Sequence, residues 1–227
     1  RLPVPEAYHY AAADEKVPYS HLLLETVPGV NMTQAELNSD DRIKLDRELA
    51  EILIDLHGHN RDLYGHIHEP GVSSWADIFV PELHAMRRNA EVKLPDSVLV
   101  DVDAAVDTAS DFLKDQGSPT LTHGDIWGGN IMVDRKEGGW HLTGLVDPSG
   151  SKFTDVEFEL AYLQVFNTVG TDFMDIYSAA YPLRAGYEIR RLYYWLNTHM
   201  IHVWLFDDQL YNDSVAEVAR DILRYTR

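Results

Sequence analysis

Two short polar segments carry the residues whose types and spacing suit chemistry. The first runs His123-Gly124-Asp125-Ile126-Trp127-Gly128-Gly129-Asn130 and the second Gly144-Leu145-Val146-Asp147-Pro148-Ser149. Asp125 and Asn130 form a D-x-x-x-x-N step, and Asp147 follows across a predicted hairpin. A carboxylate that can take a hydroxyl proton, next to an amide and a second carboxylate that suit a hard cation, is a set fitted to phosphoryl transfer. That reaction asks little covalent help of a protein. It needs the acceptor oxygen positioned and the phosphate charge neutralised. A lone H-G-D triplet or a lone Asp-Pro turn means little; the order and spacing of the set carry the reading.

The surrounding pattern predicts a helical lobe interrupted by strands. Tyr19 to Val27 is an apolar run ending in Pro28-Gly29, which predicts a buried strand entering a turn. Ser39 and Asp40 can cap a helix whose apolar face holds Ile43, Leu49, Ile52, Leu53 and Leu56. Further helices are expected over about 75–90, 97–115, 155–168, 172–181, 187–206 and 213–225. Between them, Thr120 to Thr122 and Ile131 to Val133 are β-prone, Arg135 to Gly139 reads as a turn, and His141 to Val146 resumes as a strand. Functional residues on loops of a rigid scaffold are a common arrangement.

Composition narrows the classes. The chain has 227 residues, 45% of them hydrophobic, enough for one sizeable core. It contains no cysteine, which excludes disulfides and thiolate chemistry and leads us to expect a cytoplasmic protein. With 19 basic and 37 acidic residues, the formal charge of −18 argues against nucleic acid and anionic membranes as partners and tolerates cationic substrates. No apolar run is long enough to span a bilayer, and the first residues lack a signal-peptide pattern. His57, His59, His66 and His68 lie close in sequence but read as a polar loop rather than a zinc site. The aromatic residues from Tyr193 to Phe206 read as core, and Asp207-Asp208 as a solvated helix end.

The segment LTHGDIWGGNIMVD…GLVDPSG resembles the aminoglycoside phosphotransferase and choline kinase superfamily. HGDIWGGN is close to the H-G-D-L-W-S-G-N of fructosamine (ketosamine) kinases. Leu56-His57, Tyr64-Gly65, Trp75 to Phe79, Asp155 to Ala161, Tyr177 to Pro182 and Gly186 to Arg191 extend the likeness over most of the chain. The resemblance implies an α+β, protein-kinase-like fold, mainly its helical C-terminal lobe with a small β-hairpin. It implies an ATP-dependent phosphotransferase acting on a small-molecule or protein-linked hydroxyl, with ATP and Mg²⁺ as cofactors. The acceptor would be an amine-linked sugar, or else an aminoglycoside or a choline-type alcohol. Asp125 would be the catalytic base, His123 would brace its loop, and Asn130 with Asp147 would hold Mg²⁺. Trp127 would border the acceptor pocket, with core packing as its alternative. Glu25 to Val27 would be the hinge that meets adenine. Such kinases also use a phosphate-covering loop and a strand lysine. Neither is found before Tyr19, and Lys16 lies too near the hinge to serve. We therefore expect residues 1–30 to be a remnant of the N-terminal lobe and hinge, and 31–227 the catalytic lobe. A lobe-deleted pseudokinase with a binding role is the alternative.

Overall fold

The computed structural model describes residues 2–148, 150–206 and 209–226; Ser149 and the Asp207-Asp208 pair lie outside the described residues. Strands β1 (Ala7–Ala11) and β2 (His21–Leu24) form an antiparallel two-stranded ribbon. Its apolar run is not buried as the sequence suggests. Leu22, Leu23 and Leu24 are 53%, 59% and 43% exposed, because among the described residues no helix or third strand covers either face of the ribbon. A two-stranded ribbon has no interior of its own. The chain then turns at Gly29, whose φ of +104° suits glycine, and a Cβ there would sit 2.1 Å from the Val133 carbonyl oxygen.

Beyond that turn, strand β3 (Val30–Asn31) pairs with β6 (Ile131–Lys136), which pairs in turn with β7 (Gly139–Leu145). The hairpin turn is tighter than the sequence suggests. Only Glu137 and Gly138 separate the strands, since Gly138 and Gly139, at φ +92° and +109°, supply the left-handed backbone that a short turn needs. A second sheet joins β4 (Gly65–His66), β8 (Lys152–Thr154) and β5 (Thr120–Thr122). It brings the strand before the first polar segment beside the strand after the second.

Helix α1 (Ser39–His57) starts from a capping box at Asn38, one residue before the expected caps. The Asn38 side chain accepts from Asp41 N at 2.9 Å, and the Asp41 carboxylate accepts from Asn38 N at 3.3 Å. Its buried stripe is Leu45, Leu49, Ala50, Leu53 and Leu56, while Ile43 points out at 40% exposure. Asp41 and Glu48 also accept from the amides of Trp140 and Leu142, so α1 grips the edge of β7. Asn38→Ala should lower stability by about 1 kcal/mol, the usual worth of a capping side chain. Urea denaturation would read this as a lower midpoint at unchanged slope; an unchanged midpoint would assign the cap to Asp41 alone.

The remaining helices are α2 (Ala76–Ala90), α3 (Asp96–Val106), α4 (Ala109–Leu113), α5 (Val156–Val165), α6 (Thr171–Ala180), α7 (Tyr187–Leu205) and α8 (Gln209–Thr226). The helix expected over 97–115 is two helices, broken at Asp107-Thr108. The aromatic run splits as well: Tyr193 and Tyr194 are core, whereas Trp204 and Phe206 are about half exposed. Two apolar cores result. One is built from α2, α3, α4, α7 and α8, and the other from α1, α6, the hairpin and Ile126. Helix α5 lies between them, giving Ala161 to the first and Leu160 and Leu163 to the second. A helix buried on both sides carries apolar residues on both, and VEFELAYLQV does, with Glu157 and Glu159 buried on polar partners.

The start of α5 is pinned by a buried ion cluster. Asp155 caps the helix through Glu157 N at 3.1 Å and meets Arg184 at 2.6 Å. Glu157 takes a two-point contact from Arg190, Nε at 2.7 Å and Nη2 at 3.0 Å, and a further contact from Arg184 at 2.8 Å.

Candidate active site

Strand β5 ends at Thr122, and the next residues form a loop held from three sides. His123 is 3% exposed; its Nδ1 accepts from Asp125 N at 3.3 Å, and its carbonyl accepts from Ser151 Oγ at 3.1 Å. Gly124 takes φ +86°, and a Cβ on it would lie 2.3 Å from the Gly150 carbonyl oxygen. The two polar segments of the sequence thus meet backbone to backbone, with glycine required on one side. From below, the Gly124 amide donates to Glu159 Oε1 at 2.6 Å. The other oxygen of Glu159 accepts from His57 Nε2 at 2.7 Å, which leaves His57 Nδ1 to accept from the Tyr177 hydroxyl at 2.7 Å. Burial, then the nearby Glu159 charge, pushes the Tyr177 phenol far above its ordinary range, so it stays a donor. Helices α1, α5 and α6 together fix the loop.

The Asp125 carboxylate sits at the loop's centre. Asn130 Nδ2 donates to Asp125 Oδ2 at 2.8 Å and to the Asp125 carbonyl at 2.9 Å. The Tyr162 hydroxyl, from α5, donates to Asp125 Oδ1 at 2.5 Å. Asp147 arrives by the backbone: the Val146 amide donates to the Asn130 carbonyl at 3.0 Å, and Asp147 follows with φ +57°. A non-glycine residue in that region is uncommon, and such conformations cluster at functional sites. The Asp147 side chain is exposed.

The donor types of Asn130 and Asp147 suit a hard cation such as magnesium. Both side-chain hydrogen bonds of Asn130 among the described residues run from Nδ2, which leaves its carbonyl oxygen as a ligand. One amide oxygen and one exposed carboxylate are hard donors. Among the described residues no group of three or more His, Cys, Asp or Glu side chains could hold a metal. Two protein donors would leave positions around such a cation that water and phosphate oxygens can fill.

The other expected residues are placed as follows. Trp127 is 41% exposed, so it is not core; its ring lies over Gly129, where a Cβ would approach to 2.3 Å. Glu25 and Val27 line a cavity of about 230 Å³ with Pro3, Val4 and Thr143. The Glu25 amide is spent on the Glu6 carbonyl at 2.8 Å, while Val27 packs on Gly144, three residues before Asp147. Of the histidine group, His57 is buried in the network above and His59 bonds the Asp55 carbonyl at 3.0 Å. Sequence reasoning missed three contributors: Glu159, His57 and Tyr162. The first two lie in segments that carry the family resemblance, Asp155 to Ala161 and Leu56-His57. Tyr162 carries no signal, because a tyrosine in an apolar helix reads as core.

A family model described as fructosamine kinase matches residues 2–225. The chain belongs to the fructosamine kinase family. Among relatives of this fructosamine kinase family member, a Staphylococcus aureus protein named "Probable ketoamine kinase" is 37% identical over 113 residues, covering 50% of this chain and 37% of that protein. The matched stretches span only 30% to 50% of the length of the first such relatives. A solved Thermobifida fusca structure, assigned as a fructosamine-3-kinase, superposes with a TM-score of 0.76 at 20% identity over 98% of this chain and 74% of that one. The aminoglycoside phosphotransferase APH(4)-Ia, in a ternary complex with ADP and hygromycin B, gives 0.68 at 16% identity over 96% of this chain and 77% of that one. At such identities the likeness is one of fold, and the fold is protein-kinase-like. No helix among the described residues is long and apolar enough to cross a membrane.

Proposed function

We propose that this chain carries the catalytic lobe of an ATP-dependent kinase that phosphorylates a hydroxyl of an amine-linked sugar, a ketosamine. The observation that carries the reading is the contact of Asp125 with Asn130, with Asp147 joined to the same loop through Val146. Membership of the family supports the acceptor class, and the charge of −18 favours a cationic amine. Asp125 takes the proton of the acceptor hydroxyl as its oxygen bonds to the terminal phosphorus of ATP, and the bond to the bridging oxygen breaks to release ADP. Asn130 and Asp147 would hold Mg²⁺, which when bound offsets the negative charge of the phosphates. His123 keeps the loop in shape through the Asp125 amide. Trp127 offers an exposed ring face for a sugar. Glu25 and Val27 are the hinge beside adenine. In this reading residues 1–30 are the remnant of the N-terminal lobe with its hinge, residues 31–227 are the catalytic lobe, and the enzyme works in the cytoplasm.

The test is ADP release by the full-length protein with Mg²⁺-ATP, using fructosyl-lysine, hygromycin B and choline as separate acceptors. Acceptor-dependent release on fructosyl-lysine, with one phosphoryl group gained by the sugar in mass spectrometry, is the expected result. Release on choline or hygromycin B alone would move the acceptor class. No release on any of the three would remove the catalytic reading and favour a binding role.

A further inference from the structure

We propose that Tyr162 is a positioning residue for the phosphoryl-transfer base, its hydroxyl fixing the Asp125 carboxylate in the orientation that meets an acceptor hydroxyl. This rests on the kinase reading above. A carboxylate turns easily about its last torsion, so one donor leaves it loosely aimed. Asp125 has a donor on each oxygen, Asn130 Nδ2 on Oδ2 at 2.8 Å and Tyr162 Oη on Oδ1 at 2.5 Å. The two donors differ in origin. Asn130 belongs to the same loop as Asp125, five residues further on. Tyr162 belongs to α5, whose neighbours Leu160, Ala161 and Leu163 are fully buried in the two cores. It refers the base to the rigid part of the molecule.

The phenol ring is itself held. It packs edge-on against Phe166 with centroids 5.0 Å apart, Phe166 lies 5.1 Å from His202, and His202 lies 4.9 Å from Tyr211. This stack ties α5 to α7 and α8, and each of its four rings is only partly buried. Burial, then the hydrogen bond to Asp125, raises the Tyr162 pKa far above the ordinary phenol value, so the hydroxyl remains a donor at any working pH. An anionic carboxylate oxygen accepts more than one hydrogen bond. Oδ1 can therefore keep Tyr162 and still receive the acceptor. A rival role is a stand-in: the phenol occupies the acceptor's place and must leave. The two roles move turnover in opposite directions.

Tyr162→Phe in the full-length protein keeps the ring stack and removes only the hydroxyl. The expected result is kcat lowered about tenfold to hundredfold, as misplacement of a reacting group does. KM for ATP should stay within about twofold and Tm should be close to that of the wild type, a split that a merely structural residue would not give. Unchanged kcat would overturn the proposal. So would a higher kcat with a lower acceptor KM, the mark of a stand-in. A second measurement does not depend on the acceptor: proton NMR should show a downfield, slowly exchanging hydroxyl resonance in the wild type that is missing from Tyr162→Phe. Its absence from the wild type would overturn the proposal whatever the activity. Its presence in a protein that phosphorylates no acceptor would uphold the contact and count against the kinase reading instead.

Discussion

Asp125→Asn is expected to lower turnover by about 10²- to 10⁴-fold, the usual worth of a positioned general base, while nucleotide affinity stays within about threefold. The proposed base acts on the acceptor proton; Asp147 and the hinge at Val27 make no hydrogen bond to it, and Asn130 keeps its Nδ2 bond to the backbone carbonyl of residue 125, now at 2.9 Å. The substitution is nearly isosteric. The new amide can still accept from Tyr162 through its oxygen, but its nitrogen then meets Asn130 Nδ2, donor against donor, so the contact now at 2.8 Å is lost. A modest fall in stability should accompany the loss of turnover. Single-turnover transfer and titration with Mg²⁺-ATP separate the two effects. Turnover within about threefold of wild type would place the base elsewhere, and a large loss of nucleotide affinity would make Asp125 part of the nucleotide site.

Arg190→Ala should be the most damaging substitution away from the cleft. Arg190 is 2% exposed and donates to Glu157, to Asp115 and to the carbonyls of Ala185 and Arg184. Its removal leaves Glu157, also 2% exposed, with Arg184 as its remaining cation. Breaking a buried pair on one side typically costs about 3–5 kcal/mol, because the orphaned charge stays desolvated. The surviving Arg184 contact puts the expectation at the low end, about 3 kcal/mol, which for a chain of this size lowers Tm by roughly 6–12 °C. Adding Glu157→Gln to Arg190→Ala should recover part of that loss, since the second change removes the stranded charge. A loss below about 1 kcal/mol for the single variant would mean that Arg184 alone carries the junction.

The contact of Asp125 with Asn130 was legible because it is local. Asp125 and Asn130 are five residues apart and touch, and Asp147 is delivered by the partner strand of one hairpin. The helices were legible where apolar periodicity ran unbroken, as in α2 and α7. Burial misled in both directions. The leucines of β2 look like core residues, but a strand is buried only if something packs on it. The residues from Val102 through Ala109 to Leu113 keep one buried face across the break at Asp107-Thr108, so the periodicity hides the turn. Contacts distant in sequence left no mark. Tyr162 meets Asp125 across 37 residues, and β5 pairs with β8 across the whole hairpin that lies between them. The polar partners of the loop were visible as residues but not as roles.

The place of α5 between the two cores bears on how this protein can come apart. A lobe made of two independent clusters could open one and keep the other. Here a single ten-residue helix is a wall of both, so exposing either cluster strips the same helix of half its cover. Local opening that releases α5 also releases Glu159 from the Gly124 amide and Tyr162 from Asp125. Cooperative units of a fold open together, and the loop that carries Asp125 is tied to α5 through both of these contacts. An opening that releases α5 is then silent chemically, because a molecule in that state has lost both of these α5 contacts to the loop.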